Sequence, residues 1–392
     1  MNKPTDFDID LERLDKEIAE LKPSALVVPI DSEKATRFVY RLYQRASLTG
    51  DLTEFEFVLQ TLDDAIRKIG PAPDLYFVRA SIDFKLHRLA KTRRDLETVP
   101  DLLESFQGRV LLADLDFQEG RYDDARKGYE ALIEEELSWD NLARLAHLKS
   151  KLGDVAGAEQ LYLEAEDELT AKEMRSYAWV ELQRGLLALQ QGRYEDARAN
   201  YRRAARAYTG YWLVDEHVAE LLGAEGKYQE AVALYRKVIK RVPKPELEQA
   251  IGELYTLMGQ PVEAEAWYEK ALAAYKMSAA RGDVHYYHHL ADFYTDVRED
   301  GAEATRWARK DLELRQNFST QAALARALYL NGQFEQAQEM MNQALSSGAR
   351  DAQLFYHAAM IQQSLGETDE ASRYTHMAAS INPHYRSFHV HH

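Results

Sequence analysis

Apolar and small positions recur along this chain in one fixed order. A Gly is followed two residues on by an aromatic or apolar residue, five on by Ala and, in most copies, nine on by an aromatic. The order reads Gly120, Tyr122, Ala125, Tyr129, and returns as Gly153, Val155, Ala158, Tyr162 and as Gly192, Tyr194, Ala197, Tyr201. It continues as Gly226, Tyr228, Ala231, Tyr235 and as Gly259, Pro261, Ala264, Tyr268. Later copies are Gly332, Phe334, Ala337, Met341 and the shortened Gly366, Thr368, Ala371. The glycines from Gly120 to Gly259 are spaced by 33, 39, 34 and 33 residues, and Gly332 and Gly366 by 34. Twelve residues before each Ala stands a second small residue: Ala113, Ala146, Gly185, Ala219, Gly252, Ala325 and Ala359.

Each block predicts two antiparallel helices. The Gly ends the first helix because it tolerates positive φ at the turn. The paired small residues let the two helices approach closely. Pro243 and Pro383 fall just past second helices, where Pro stops a helix. One unit, through Ala291 and Ala304, keeps the order with an extra residue in its turn.

Upstream the pattern is weaker. Asp8 to Leu21 reads as an amphipathic helix, with Ile9, Leu11, Leu14, Ile18 and Leu21 on one stripe, suited to capping the array. Gly50 with Leu52, Phe55 and Leu59 looks like a degraded copy, and Ala80, Leu89 and Leu96 like another.

This period and residue order resemble the tetratricopeptide repeat family. The resemblance covers residues 103 to 384 in eight units. It implies an all-α fold, a solenoid of antiparallel helix pairs wound into a right-handed superhelix. Residues 1–102 are expected to form an irregular helical region with room for two degenerate repeats and a capping helix, and residues 385–392 a His-rich tail. The last repeat is expected to lack a covering helix, which leaves self-association through it open.

Composition narrows the function. The formal net charge is -16, from 49 Lys and Arg against 65 Asp and Glu. That balance argues against a phosphate-backbone binder and against an anionic-membrane binder. Cys is 0, which excludes disulfides, thiolate metal sites and Cys nucleophiles. No apolar run approaches the roughly 20 residues of a membrane helix, and the acidic N-terminus has no apolar stretch of a secretory signal. A cytoplasmic location is the expectation. No Gly-rich phosphate loop, H-E-x-x-H or G-x-S-x-G is present. The expectation is therefore a non-catalytic scaffold or adaptor that binds a protein or peptide, with no nucleic acid and no membrane partner.

The resemblance implies that the first helix of each repeat lines a concave groove. Transferred by register, the lining residues are Glu216 and Glu220, then Glu246, Gln249 and Glu253, then His285, His288, Asp292 and Asp296, then Arg326 and Tyr329. The middle of the groove is thus expected to be acidic and to favour a basic or polar partner. Upstream, Trp179, Leu182, Leu186 and Leu189, and Phe77, Phe84, Val110 and Phe117, are apolar. They suit either packing between repeats or an apolar peptide. The Lys and Asn pair with which some members clamp carboxylate tails is missing at the corresponding positions.

The alternative reading is a divalent-metal protein. His285, His288, Asp292 and Asp296 lie three or four residues apart in sequence, so a helix places them on one face. Imidazole and carboxylate ligands suit Zn, and Ni or Cu with the tail histidines His384, His389, His391 and His392. Glu246 or Glu253 could complete the shell. On this reading a metal-dependent activity at the His/Asp cluster is the enzymatic alternative.

Overall fold

The computed structural model describes residues 3–26, 31–70 and 72–389. Every regular element among them is a helix, twenty-two in all. From Phe106–Gln118 and Tyr122–Glu135 to Ala352–Ser364 and Thr368–Ile381 the helices run in eight consecutive antiparallel pairs. Ahead of them stand the pairs Ser32–Thr49 with Leu52–Ile69 and Pro73–Lys85 with Leu89–Thr98, a lone helix Asp6–Leu21 and a short one, Pro100–Glu104.

The turn chemistry explains the pairing. Gly120 takes φ +78°, its N–H bonds to the Phe117 carbonyl at 3.2 Å, and Arg121 N–H reaches back to the Asp116 carbonyl at 2.8 Å. These bonds satisfy the last carbonyls of the first helix and reverse the chain. Ala113 and Ala125, Ala146 and Ala158, and Ala219 and Ala231 are all buried between paired helices. The aromatic that follows each Ala fills the space behind it: Tyr162, Tyr201 and Tyr235 are among the largest fully buried side chains.

Two pairs turn without the glycine. The residue five before Thr92 is His87, at φ 59°, and the residue five before Ala304 is Glu299, at φ 49°. A left-handed backbone costs an L residue roughly 1–2 kcal/mol. Glu299→Gly is expected to raise stability by about 1 kcal/mol, read as an increase in the urea midpoint at constant slope. An unchanged or lower midpoint would mean that the Glu299 side chain offsets its own strain.

The pairs do not simply follow one another outward. The chain winds back so that its early turns meet later loops along a seam. Phe7 N–H donates to the Thr209 carbonyl at 3.1 Å, and Thr209 N–H to the Asp6 carboxylate at 2.9 Å. Trp212 Nε1 donates to the Leu48 carbonyl at 3.1 Å. Arg88 reaches Asp283 at 3.4 Å, Asn317 Nδ2 reaches the Gln118 carbonyl at 3.1 Å, and Phe318 N–H reaches the Tyr122 hydroxyl at 2.9 Å. Arg350 N–H lies 3.4 Å from the Lys151 carbonyl. The Asp6–Leu21 helix belongs to this arrangement. Its Phe7 and Leu14 join the large core formed with residues 178–388, while Ile18 and Leu21 pack on the core of the first pairs.

The tail also differs from a loose end. Beyond Pro383 the chain folds back, burying Tyr385 against the Phe355 and Tyr356 cluster and Phe388 in the large core. The outer face of the last pair is thus partly covered by its own tail.

Candidate functional site: an acidic wall and a histidine seam

The residues transferred to the groove divide into two places. The first is an acidic wall. Glu216 and Glu220, one helical turn apart on Trp212–Ala224, are each only 4% exposed. Gln249 and Glu253 occupy the same relation on Pro245–Leu257. Gln249 Nε2 donates to Glu253 at 2.9 Å, and Gln249 Oε1 accepts from the Tyr275 hydroxyl at 3.2 Å. Tyr201 and Tyr235 stand behind, with buried hydroxyls that have no hydrogen-bond partner. Burial, followed by the charges of Glu220, Glu216 and Glu253, holds the Tyr235 phenol well above its ordinary range. One carboxylate oxygen of Glu216 is likewise buried and unpartnered.

Two cations belong to the wall. Lys244 lies 3.5 Å from Glu246 and 4.7 Å from the Trp212 ring centre. Burial works against its charge, but Glu216 and Glu246 more than offset that, and its pKa is raised. Arg326 binds Asp292 at 3.1 Å and both oxygens of Asp296 at 2.5 and 2.6 Å. Tyr329, on the same helix as Arg326, packs on Phe334 at 5.7 Å.

The second place is the seam. His285 and His288 do not share a ligand shell with Asp292 and Asp296, whose carboxylates are turned to Arg326. Their rings instead meet His87, at 5.0 and 5.3 Å between centroids, and lie 6.2 Å from each other. The Nδ1 atoms of all three are buried without a partner. Burial lowers each imidazole: His285 to about 4, where Lys244 and Arg315 add to the effect and Glu246 opposes it, and His87 and His288 well below the usual range. His289 lies flat on Tyr275, 5.4 Å away with 4° between the planes.

Among the described residues no group of three or more His, Asp or Glu is placed to hold a metal ion. The tail histidines are also apart: His384 stacks on Tyr194 at 5.0 Å, His389 Nδ1 lies 3.1 Å from the Ser387 carbonyl, and His391 and His392 fall outside the described residues. The upstream apolar residues are packing residues. Leu182 and Leu189 are buried, Trp179 packs edge-on against Trp139 at 6.0 Å, Phe77, Phe84, Val110 and Phe117 pack on buried clusters, and Leu186 is at least half-buried. No helix of the described residues is long and apolar enough to cross a membrane.

Register reasoning missed His87. The signal was present, since His87 stands 33 residues before Gly120, at the repeat step. It also missed the tyrosine layer as part of the wall, having read those rings only as repeat markers.

In sequence, residues 182–244 and 218–278 match one tetratricopeptide repeat family model, and residues 319–343 match another. No curated protein matches the chain. Among solved structures, it is similar to a chain of the Cut9–Hcn1 hetero-tetramer of APC/C, at 15% identity and TM-score 0.46, covering 88% of this chain and 74% of that one. It is also similar to a tetratricopeptide repeat protein from Parabacteroides merdae, at 19% identity and TM-score 0.38, covering 62% of this chain and 93% of that one. The matched segments, residues 182–278 and 319–343, lie within paired helices that turn about the same glycine position, so this part of the chain carries tetratricopeptide repeats.

Proposed function

We propose that the chain is a non-catalytic scaffold that holds a partner protein or peptide through basic side chains laid on the acidic wall. The observation that supports this reading is the concentration of Glu216, Glu220, Glu246 and Glu253 around Tyr235 and Tyr275, with Lys244 drawn to Glu216 and Glu246. Glu253 is partly exposed at the rim, and Glu216 and Glu220 lie deeper. An entering guanidinium or ammonium would exchange water for carboxylates and phenol oxygens, a charge-assisted arrangement. Tetratricopeptide repeats serve protein interaction in general. A protein of this acidity would also draw a basic partner in by long-range attraction.

The test uses labelled extended peptides carrying alternating Arg and neutral residues, with matched Glu peptides, and reads fluorescence anisotropy. The basic peptide is expected to bind, to weaken as salt rises, and to lose at least fivefold in affinity to a Glu216→Gln/Glu253→Gln chain. Equal binding of the basic and acidic peptides, or no effect of the double substitution, would sink the reading.

A further inference from the structure

We infer that residues 384–389 form a latch, a peptide-like segment held in a site cut for it on the third and fourth pairs of the regular array. Those pairs are Met174–Gln190 with Tyr194–Ala207 and Trp212–Ala224 with Tyr228–Ile239. The inference stands apart from the basic-partner reading, because it uses none of the acidic wall.

The site has two parts. The first is Tyr194, whose ring stacks on His384 at 5.0 Å and whose hydroxyl faces Ser387. The second is Gly223, against which the Phe388 ring lies. A Cβ placed on Gly223 would run into Cδ1 and Cε1 of Phe388. Phe388 is only 9% exposed there.

Gly223 is informative because of its register. It stands three residues before the turn glycine Gly226. The other copies carry Phe117, Ser150, Leu189, Thr256, Tyr329 and Gln363 at that place. Glycine inside a helix weakens it relative to alanine, and nothing in the Trp212–Ala224 helix itself calls for one. Phe388 supplies the reason: the missing side chain is the space its ring fills.

The segment is held as a ligand is held. Its own backbone bonds are internal, Tyr385 N–H to the Asn382 carbonyl at 3.1 Å and Ser387 N–H to the His384 carbonyl at 2.8 Å. Gln353, on the last repeat, donates to the Tyr385 carbonyl. Toward the third and fourth pairs the contacts are ring insertion and ring stacking. The segment can therefore leave and return without breaking a helix. Tethering keeps it docked, since a short linker gives an effective concentration in the millimolar range. Docked, it joins the last pair to the third and fourth. Its recognition chemistry is a tight turn that sets an aromatic residue in the Gly223 notch and an imidazole or ring over Tyr194.

Gly223→Ala separates this role from folding. Alanine strengthens the helix but fills the notch. Trypsin cleaves after Arg386, so release of residues 387–392, followed by mass spectrometry on the full chain, reports how often the segment leaves its seat. Cleavage in the unaltered chain is expected to be far slower than in a synthetic peptide of residues 382–392. It should rise at least tenfold in Gly223→Ala and in Phe388→Ala, while the thermal midpoint of Gly223→Ala does not fall. A labelled 382–392 peptide is then expected to bind the Phe388→Ala chain and not the Gly223→Ala/Phe388→Ala chain. Equal cleavage rates in all three chains would overturn the latch. Peptide binding that ignores Gly223→Ala, or is absent from Phe388→Ala, would overturn the separable site.

Discussion

Replacing Trp212 by Ala is expected to lower stability by about 3–5 kcal/mol and to loosen the first repeats along with its own helix. The side chain is 6% exposed, and its indole N–H donates to the Leu48 carbonyl at 3.1 Å. Leu48 is itself 1% exposed, so the carbonyl has little access to water once the donor is gone. The ring also carries Lys244 over one face, and it lies against Gly50 at the turn between Ser32–Thr49 and Leu52–Ile69. Truncation thus removes a large apolar volume, a buried hydrogen bond and a cation contact together. In an array whose repeats touch only their neighbours, such a loss stays local. Here it crosses the seam. Amide exchange should therefore rise in residues 52–69 as well as in 212–224. Trp212→Phe keeps most of the ring but orphans the Leu48 carbonyl, for a loss of about 1–3 kcal/mol. Urea unfolding by circular dichroism gives the first quantity. A loss under about 1 kcal/mol in the Ala variant, outside the range for large core truncations, or exchange confined to residues 212–224, would show that the seam contact carries no weight.

The seam is also the part of the fold that sequence could not foretell. The turn glycines, the paired alanines and the buried tyrosines are local: each is set by residues within about one repeat, and each leaves a mark at the repeat step. Contacts such as Leu48 with Trp212 or Lys151 with Arg350 join residues of different register, far apart along the chain, and leave no periodic mark. The acidic wall was legible in the same way as the turns, because Glu216, Glu220, Gln249 and Glu253 follow from register alone. The fate of Asp292 and Asp296 was not. Spacing puts them on one helix and Arg326 one repeat later, and two carboxylates beside a guanidinium pair with it before they gather an ion. His285 and His288 precede or begin a helix that starts only at Tyr287, so helical spacing did not govern where their rings went. His87 met them because a repeat lacking its glycine put a side chain where the others have none.

Acid is expected to undo this histidine seam. The sign follows from the direction of the shifts. An imidazole whose folded pKa is depressed takes up fewer protons than it does unfolded, so stability is full above the unfolded value of 6.5 and falls as pH drops toward the folded value. For His285 the window runs from 6.5 to about 4. At ~1.4 kcal/mol per unit the cost at its lower end is about 3 kcal/mol. That is an upper figure, since the ring keeps some solvent contact although its Nδ1 is buried. His87 and His288 act in the same direction, and so does His147, which burial lowers to about 3. Asp83 works against them. Burial raises its carboxyl to about 6, so its protonation favours the folded chain as pH falls. Burial also raises the carboxyls of Glu166, Glu248 and Asp311, which act with Asp83, but within the seam three histidines crowd one another and face Arg315, so the balance there lies with the histidines. The urea midpoint should therefore fall steeply between pH 6.5 and 4.5. In a His285→Gln/His288→Gln chain, which keeps polar side chains in the seam without titrating ones, the fall should be shallower. Any loss common to all pH values would then measure packing, and the difference in slope would measure protonation. Parallel curves for the two chains would mean that acid acts elsewhere. If the seam is where it acts, amide exchange at Arg350 and Phe318 should quicken in the unaltered chain before the helices of the acidic wall lose protection, because those two amides donate across the same junction.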